Sequence, residues 1–160
     1  MKFSTHTPEE TIRLGVKIGE NLQAGDLVLL FGDLGSGKTT LTQGIARGLG
    51  VAENEYVRSP SFTLINEYRG RIPIFHIDLY RIESASQLEN LGLEEILFGE
   101  GISIVEWAEK LFPDNQKDSL IENHQPRIEI SLEFSKAESR EIEISLKNQG
   151  TSDHPIFTLQ

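Results

Sequence analysis

The sequence predicts an α/β fold: a mixed, mainly parallel sheet flanked by helices, with an antiparallel hairpin at the C-terminal end. Three observations carry this. Leu27-Val28-Leu29-Leu30-Phe31 is an unbroken apolar run, as in a strand buried on both faces of a parallel sheet. Beyond a glycine-rich stretch, Leu41, Ile45, Ala46 and Leu49 recur at helical spacing. Arg127 to Phe134 and Arg140 to Leu146 alternate strictly between apolar and polar, as hairpin strands with one buried face do.

The stretch between the first strand and its helix is Gly32-Asp33-Leu34-Gly35-Ser36-Gly37-Lys38-Thr39, followed by Thr40. It reads G-x-x-x-x-G-K-[ST], the phosphate-binding loop of P-loop nucleotide hydrolases. Glycines let several backbone N–H groups point into one concavity and hold phosphate oxygens. A helix starting near Gly37 adds the positive end of its dipole there. Lys38 would reach the β/γ-phosphates, and the Thr39 hydroxyl would ligate Mg²⁺. The pattern arises by chance in about one chain in a hundred of this length, and the strand and helix around it reduce that further.

Before this unit, Phe3 to Thr5 reads as a short edge strand. Thr7-Pro8-Glu9-Glu10 reads as a capping box opening a helix that ends near Gln23-Ala24-Gly25. Thr7 and Thr11 fit a structural role better than a nucleotide contact. After the P-loop helix, Ser59-Pro60-Ser61-Phe62-Thr63 is either a turn opening a strand or a switch that brings a hydroxyl near the γ-phosphate. Thr63 to Tyr68 is a strand, turning at Arg69-Gly70-Arg71.

Ile72 to Asp78 is an apolar run ending in a carboxylate, the shape of a Walker B strand. Pro73 places its start at an edge or an early strand position. Asp78 is also read as a turn or helix cap, and His76 as a packed or solvent-facing residue. Ser84 to Phe98 is helical in two pieces, broken at Gly92. Ile102 to Trp107 is a second apolar strand ending in an acid, so Asp78 and Glu106 compete for the metal side. Trp107 beside Glu106 is either core or a lid over the site. Ala108 to Phe112 is a short helix, Asp114 to Gln125 a polar and partly disordered segment, and Ser135 to Ser139 the hairpin turn.

With 160 residues, one domain over 1–147 is expected, with a mobile tail over 148–160. No run approaches a membrane span, no signal-peptide core opens the chain, and there are no cysteines. A cytoplasmic protein is expected. The net charge of −10, from 25 acidic and 15 basic residues, argues against stand-alone binding of nucleic acid.

No N/T-K-x-D element is present, which favours adenine over guanine, and no Arg-rich lid of a phosphate kinase is recognisable. Arg58 and Arg81 flank the proposed site. Three classes remain: a switch-type ATPase, a small-molecule P-loop kinase, and a non-catalytic ATP-sensing interaction module.

The chain resembles the TsaE (YjeE) family through the loop Gly32 to Thr40, Ser59-Pro60-Ser61-Phe62-Thr63-Leu64, His76-Ile77-Asp78-Leu79-Tyr80-Arg81, Leu91-Gly92-Leu93 and Val105-Glu106-Trp107. Ser36 and Ser61 stand where Ala and Thr are expected. The resemblance implies a weak ATPase that needs Mg²⁺ and works with the TsaD and TsaB proteins to form threonylcarbamoyladenosine in tRNA. The chain would meet tRNA only through that complex. The resemblance implies that Asp33, Leu34, Gly35, Ser36, Gly37, Lys38, Thr39 and Thr40 hold the phosphates. It puts Thr11 near the adenine and Thr39, Glu106 and Asp78 at the metal. Lys38, Asp78 and Glu106 would be the catalytic set. Ser59, Ser61, Thr63, Tyr80, Arg81 and Trp107 would form switches that partners sense.

Overall fold

The computed structural model describes residues 1–60, 62–112, 120–121, 125–135, 139–148 and 153–159. The elements run β1 (Lys2–Thr5), α1 (Pro8–Asn21), β2 (Leu27–Phe31), α2 (Lys38–Gly48), β3 (Ile65–Arg69), β4 (Pro73–Asp78), α3 (Ala85–Glu89), α4 (Glu94–Leu97), β5 (Ile102–Glu106), a 3-10 turn (Ala108–Leu111), β6 (Arg127–Phe134), β7 (Arg140–Lys147) and a second 3-10 turn (Pro155–Thr158).

The seven strands form one sheet in the order β1-β7-β6-β2-β5-β4-β3. Its four central strands, β6, β2, β5 and β4, are parallel to one another. The pairs β1–β7, β6–β7 and β3–β4 are antiparallel. The expected mainly parallel sheet is thus confined to its centre, because hairpins extend it on both sides. Pro73 opens β4 opposite Arg69, where a missing N–H costs the ladder least.

β2 reads as apolar throughout because both its faces are covered. Val28 and Leu30 pack in the core under α1 and α2. Leu27 and Leu29 pack on the other face, with Leu88 of α3, Leu97 of α4 and Leu111 of the 3-10 turn. Beyond β2 the second face is polar: β6 and β7 turn Glu133, Glu141 and Glu143 outward.

α1 starts as its capping residues dictate. The Thr7 hydroxyl accepts the Glu10 N–H at 3.2 Å, and the Glu10 carboxylate accepts the His6 N–H at 2.7 Å. α1 and α2 then approach until only glycine fits between them. A Cβ on Gly15 would lie 2.6 Å from the Leu41 carbonyl oxygen, and one on Gly44 would overlap that of Ile12. This contact fixes α2, and with it the glycine-rich loop, on the sheet.

The C-terminal segment departs from expectation. The Ile156 side chain is fully buried in the α1/α2 core. His154 Nε2 meets Asp26 Oδ2, next to β2, at 3.0 Å. Residues 153–159 therefore pack onto the domain instead of forming a mobile tail. Residues 149–152 and 160 lie outside the described residues, as do Pro113, 114–119 and 122–124 of the expected polar segment, 136–138 of the hairpin turn, and Ser61. Among the described residues no helix is long and apolar enough to cross a membrane.

Candidate nucleotide-binding site

The C-terminal ends of β2, β4 and β5 converge on one cleft of about 410 Å³. Leu34, Gly35, Gly37, Lys38, Thr39 and Thr40 line one side. Ser59, Asp78, Tyr80, Glu106, Trp107 and Arg140 complete the lining.

The loop takes its shape from glycine. Gly32 and Gly37 have φ of +145° and +105°, where a side chain is strained. A Cβ on Gly32 would also lie 2.5 Å from the Leu132 carbonyl oxygen. Gly37 caps α2, so the first N–H groups of an 11-residue helix open onto the cleft. Successive N–H groups, a helix N-terminus and Lys38 form a cradle suited to phosphate oxygens.

Lys38 Nζ donates to the carbonyls of Gly32 at 2.5 Å and Asp33 at 3.0 Å, and lies 4.0 Å from the centroid of the Trp107 ring. Burial pushes its pKa below the ordinary lysine value, opposed by the charges of Glu106, Glu109, Asp78 and Asp33. A cation held this way gains from an anion that enters the cleft.

Glu106 and Asp78 are register partners at the ends of adjacent parallel strands. Glu106 is 2% exposed. Its Oε2 accepts from the Thr39 hydroxyl at 3.0 Å, and its Oε1 from His76 Nε2 at 2.8 Å and, more weakly, from Thr42 at 3.4 Å. Asp78 accepts a short hydrogen bond from the Ser59 hydroxyl at Oδ2 and the Tyr80 N–H at Oδ1, 2.8 Å. Tyr80 and Trp107 stack, tilted, with centroids 4.9 Å apart, and Trp107 holds the left-handed conformation at φ +57°. One hydroxyl and two carboxylates at a phosphate cradle form an oxygen donor set that fits Mg²⁺, which takes few protein ligands alongside phosphate and water. Among the described residues no group of three or more His, Cys, Asp or Glu is placed to hold a metal by itself.

Most of the residues expected at the site do meet here, and six of the described ones do not line the cleft. Thr11 is fully buried within α1, its hydroxyl 2.8 Å from that of Thr5 and 3.3 Å from the Thr7 carbonyl, and it does not line the cleft. Asp33 and Ser36 belong to the loop but do not line the cleft; Asp33 is exposed, and Ser36 Oγ is buried with no hydrogen-bond partner among the described residues. Thr63 bonds Asn66 at 3.1 Å, and Arg81 lies over the Phe62 ring at 4.6 Å, both on the exposed approach to the cleft. Arg58 is exposed.

Three residues at the site were not expected from the sequence. His76 shares its face of β4 with Asp78 by simple alternation, a signal that strand parity contains. Thr42 follows Thr39 by one helical turn. Arg140 reaches the loop from β7, with Nε 3.1 Å from the Ser36 carbonyl oxygen, and no local pattern announces it.

Known proteins similar to this chain give its family. The family model described as "Threonylcarbamoyl adenosine biosynthesis protein TsaE" matches residues 5–142. The chain is similar to the tRNA threonylcarbamoyladenosine biosynthesis protein TsaE of Bacillus subtilis, 39% identical over 151 residues, which cover 94% of this chain and 87% of that one. It is similar to the protein of the same name from a Nostoc species, 50% identical over 110 residues, 64% of this chain and 65% of that one. Its fold matches the crystal structure of Bacillus subtilis YdiB with a TM-score of 0.73 at 33% identity, over 93% of this chain and 86% of that chain. The chain therefore belongs to the TsaE family.

Proposed function

We propose that this chain binds MgATP and hydrolyses it as the ATPase of the machinery that forms threonylcarbamoyladenosine in tRNA. The observation that carries the proposal is the Thr39–Glu106 contact at 3.0 Å, at the mouth of a glycine cradle that also contains Lys38. A magnesium-ligating hydroxyl keeps its hydrogen and needs an acceptor for it, and Glu106 supplies one.

The loop N–H groups and Lys38 hold the phosphates of ATP. Thr39, Glu106 and Asp78 hold the metal and its waters; when bound, Mg²⁺ neutralises charge on the β- and γ-phosphate oxygens. Water attacks the γ-phosphorus, the bond to the β-phosphate oxygen breaks, and ADP and phosphate leave. Asp78 and Glu106 are the groups placed to orient that water. Ser59, Thr63, Tyr80, Arg81 and Trp107 lie on or beside the segments whose arrangement changes with nucleotide state.

The partners are the TsaD and TsaB proteins, and the setting is cytoplasmic. The names of its relatives carry the pathway. The charge of −10 fits a subunit that leaves the gripping of tRNA to others.

The test is the ATP hydrolysis rate of the purified chain, alone and with TsaB and TsaD. The expected result is a low basal rate that the partners raise. A rate that the partners leave unchanged detaches the ATPase from tRNA modification. Phosphate found on a small-molecule acceptor identifies a kinase instead, and binding without turnover a sensor.

A further inference from the structure

His76 lies on the α1/α2 face of the sheet, the face that Ile74 and Ile104 also fill. Its side chain is fully buried, and Tyr68 packs near it at a centroid distance of 6.4 Å. An aliphatic residue would fill that place at no polar cost. His76 Nδ1 is buried there with no hydrogen-bond partner among the described residues. Such an atom costs about 1–3 kcal/mol, so the position requires a return.

Among the described residues His76 has one side-chain hydrogen-bond partner, Glu106, at 2.8 Å from Nε2. An ionised carboxylate only accepts, so the hydrogen between the two groups sits on Nε2. The competing donor on the same oxygen, Thr42, is distant at 3.4 Å and donates to the Lys38 carbonyl at 3.0 Å. His76 therefore holds Oε1 from the core side and leaves Oε2 directed at Thr39.

We infer that His76 is a positioning residue for the metal side of the cleft: its Nε2–H fixes the Glu106 carboxylate so that Oε2 meets the Thr39 hydroxyl. This rests on the MgATP reading for its functional consequence, but the hydrogen bond itself is testable without nucleotide. His76 does not touch substrate; it acts through Glu106. Partners of this kind, one step removed from a metal, are worth about 10–100-fold in metal affinity or activity.

The test uses the full chain with two substitutions. His76→Leu keeps the volume and removes the donor. His76→Gln keeps an N–H close to the position of Nε2. Three quantities are read: the Mg²⁺ concentration for half-maximal ATP hydrolysis, ADP affinity in EDTA from Trp107 fluorescence, and the imidazole tautomer of the wild-type chain by ¹⁵N NMR. The inference expects half-saturation by Mg²⁺ to rise about 10–100-fold in His76→Leu and to return most of the way in His76→Gln, with ADP affinity in EDTA unchanged in both. It expects the Nε2–H tautomer, and a shift of that resonance in Glu106→Gln.

An Nδ1–H tautomer, or a resonance indifferent to Glu106→Gln, overturns the inference even if both variants fail to fold. Unchanged Mg²⁺ dependence in a folded His76→Leu also overturns it, and an equal loss in the two variants reduces His76 to packing. A wild-type chain that shows the expected tautomer and coupling but no Mg²⁺-dependent ATP turnover defeats the MgATP reading and leaves the positioning geometry standing.

Discussion

Glu106 and Asp78 occupy matching places, opposite each other in register at the ends of neighbouring strands, and are buried to nearly the same degree, 2% and 4% exposed. Their partners differ. Glu106 is tied to Thr39 and Thr42 on α2 and to His76 on β4, all within regular elements. Asp78 is tied to Ser59 and to the Tyr80 N–H, both in irregular chain. Ser59 leads into a segment where Phe62 is 84% exposed and Leu64 has φ +65°. Two carboxylates in one layer are thus coupled to parts of the molecule with different resistance to opening. The Glu106 side behaves as frame, and the Asp78 side can follow its loops.

The largest expected effect removes what both sides serve. Lys38→Ala should lower ATP affinity by roughly a hundredfold or more, about 2.8 kcal/mol, in calorimetric titration. Unchanged affinity would break the phosphate-loop assignment. The next effect separates the two acids. Glu106→Gln should cut turnover by at least about tenfold, with much of the binding retained and the Mg²⁺ requirement raised. Asp78→Asn should also lower turnover, and it should change the protease sensitivity of the chain around residues 59–64, which Glu106→Gln leaves as it was. If both substitutions alter the loop alike, the distinction fails.

A structural change sharpens the frame side. Gly44→Ala sets a methyl against the Ile12 carbonyl. It should cost about 1–3 kcal/mol, which is roughly 2–4 °C of melting temperature per kcal/mol for a domain of this size. Because α2 carries Lys38 and Thr39, nucleotide affinity should fall with it.

The smallest effect is at Ser36. Its buried hydroxyl has no partner among the described residues, so Ser36→Ala should leave the stability read from thermal melting unchanged or raise it by up to about 1 kcal/mol. A marked loss would mean that the hydroxyl is satisfied in solution.

What was legible in the sequence follows the range of the signals. β2, its loop and α2 were read almost to the residue, because apolar run, glycines and helical period lie within one short segment. Asp78 and Glu106 were placed together because strand ends in a parallel sheet face one side. Which of their neighbours meets which could not be read this way. The Arg140 contact with the loop spans 104 positions and the His154–Asp26 pair 128, and neither leaves a local trace. The polar stretch before His154 resembled a tail because its anchors, Ile156 and His154, are too few to show a period. The α1/α2 contact was hidden for another reason: glycine inside a helix reads as a weakness until the facing glycine is known.

The most direct test of the account is the Mg²⁺ enhancement of ATP affinity in the wild-type chain, Glu106→Gln and Asp78→Asn, each titrated with and without EDTA. The account predicts enhancement in the wild type, most of it retained in Asp78→Asn and most of it lost in Glu106→Gln. Enhancement that survives in Glu106→Gln and disappears in Asp78→Asn would contradict it and move the metal anchor to the loop side.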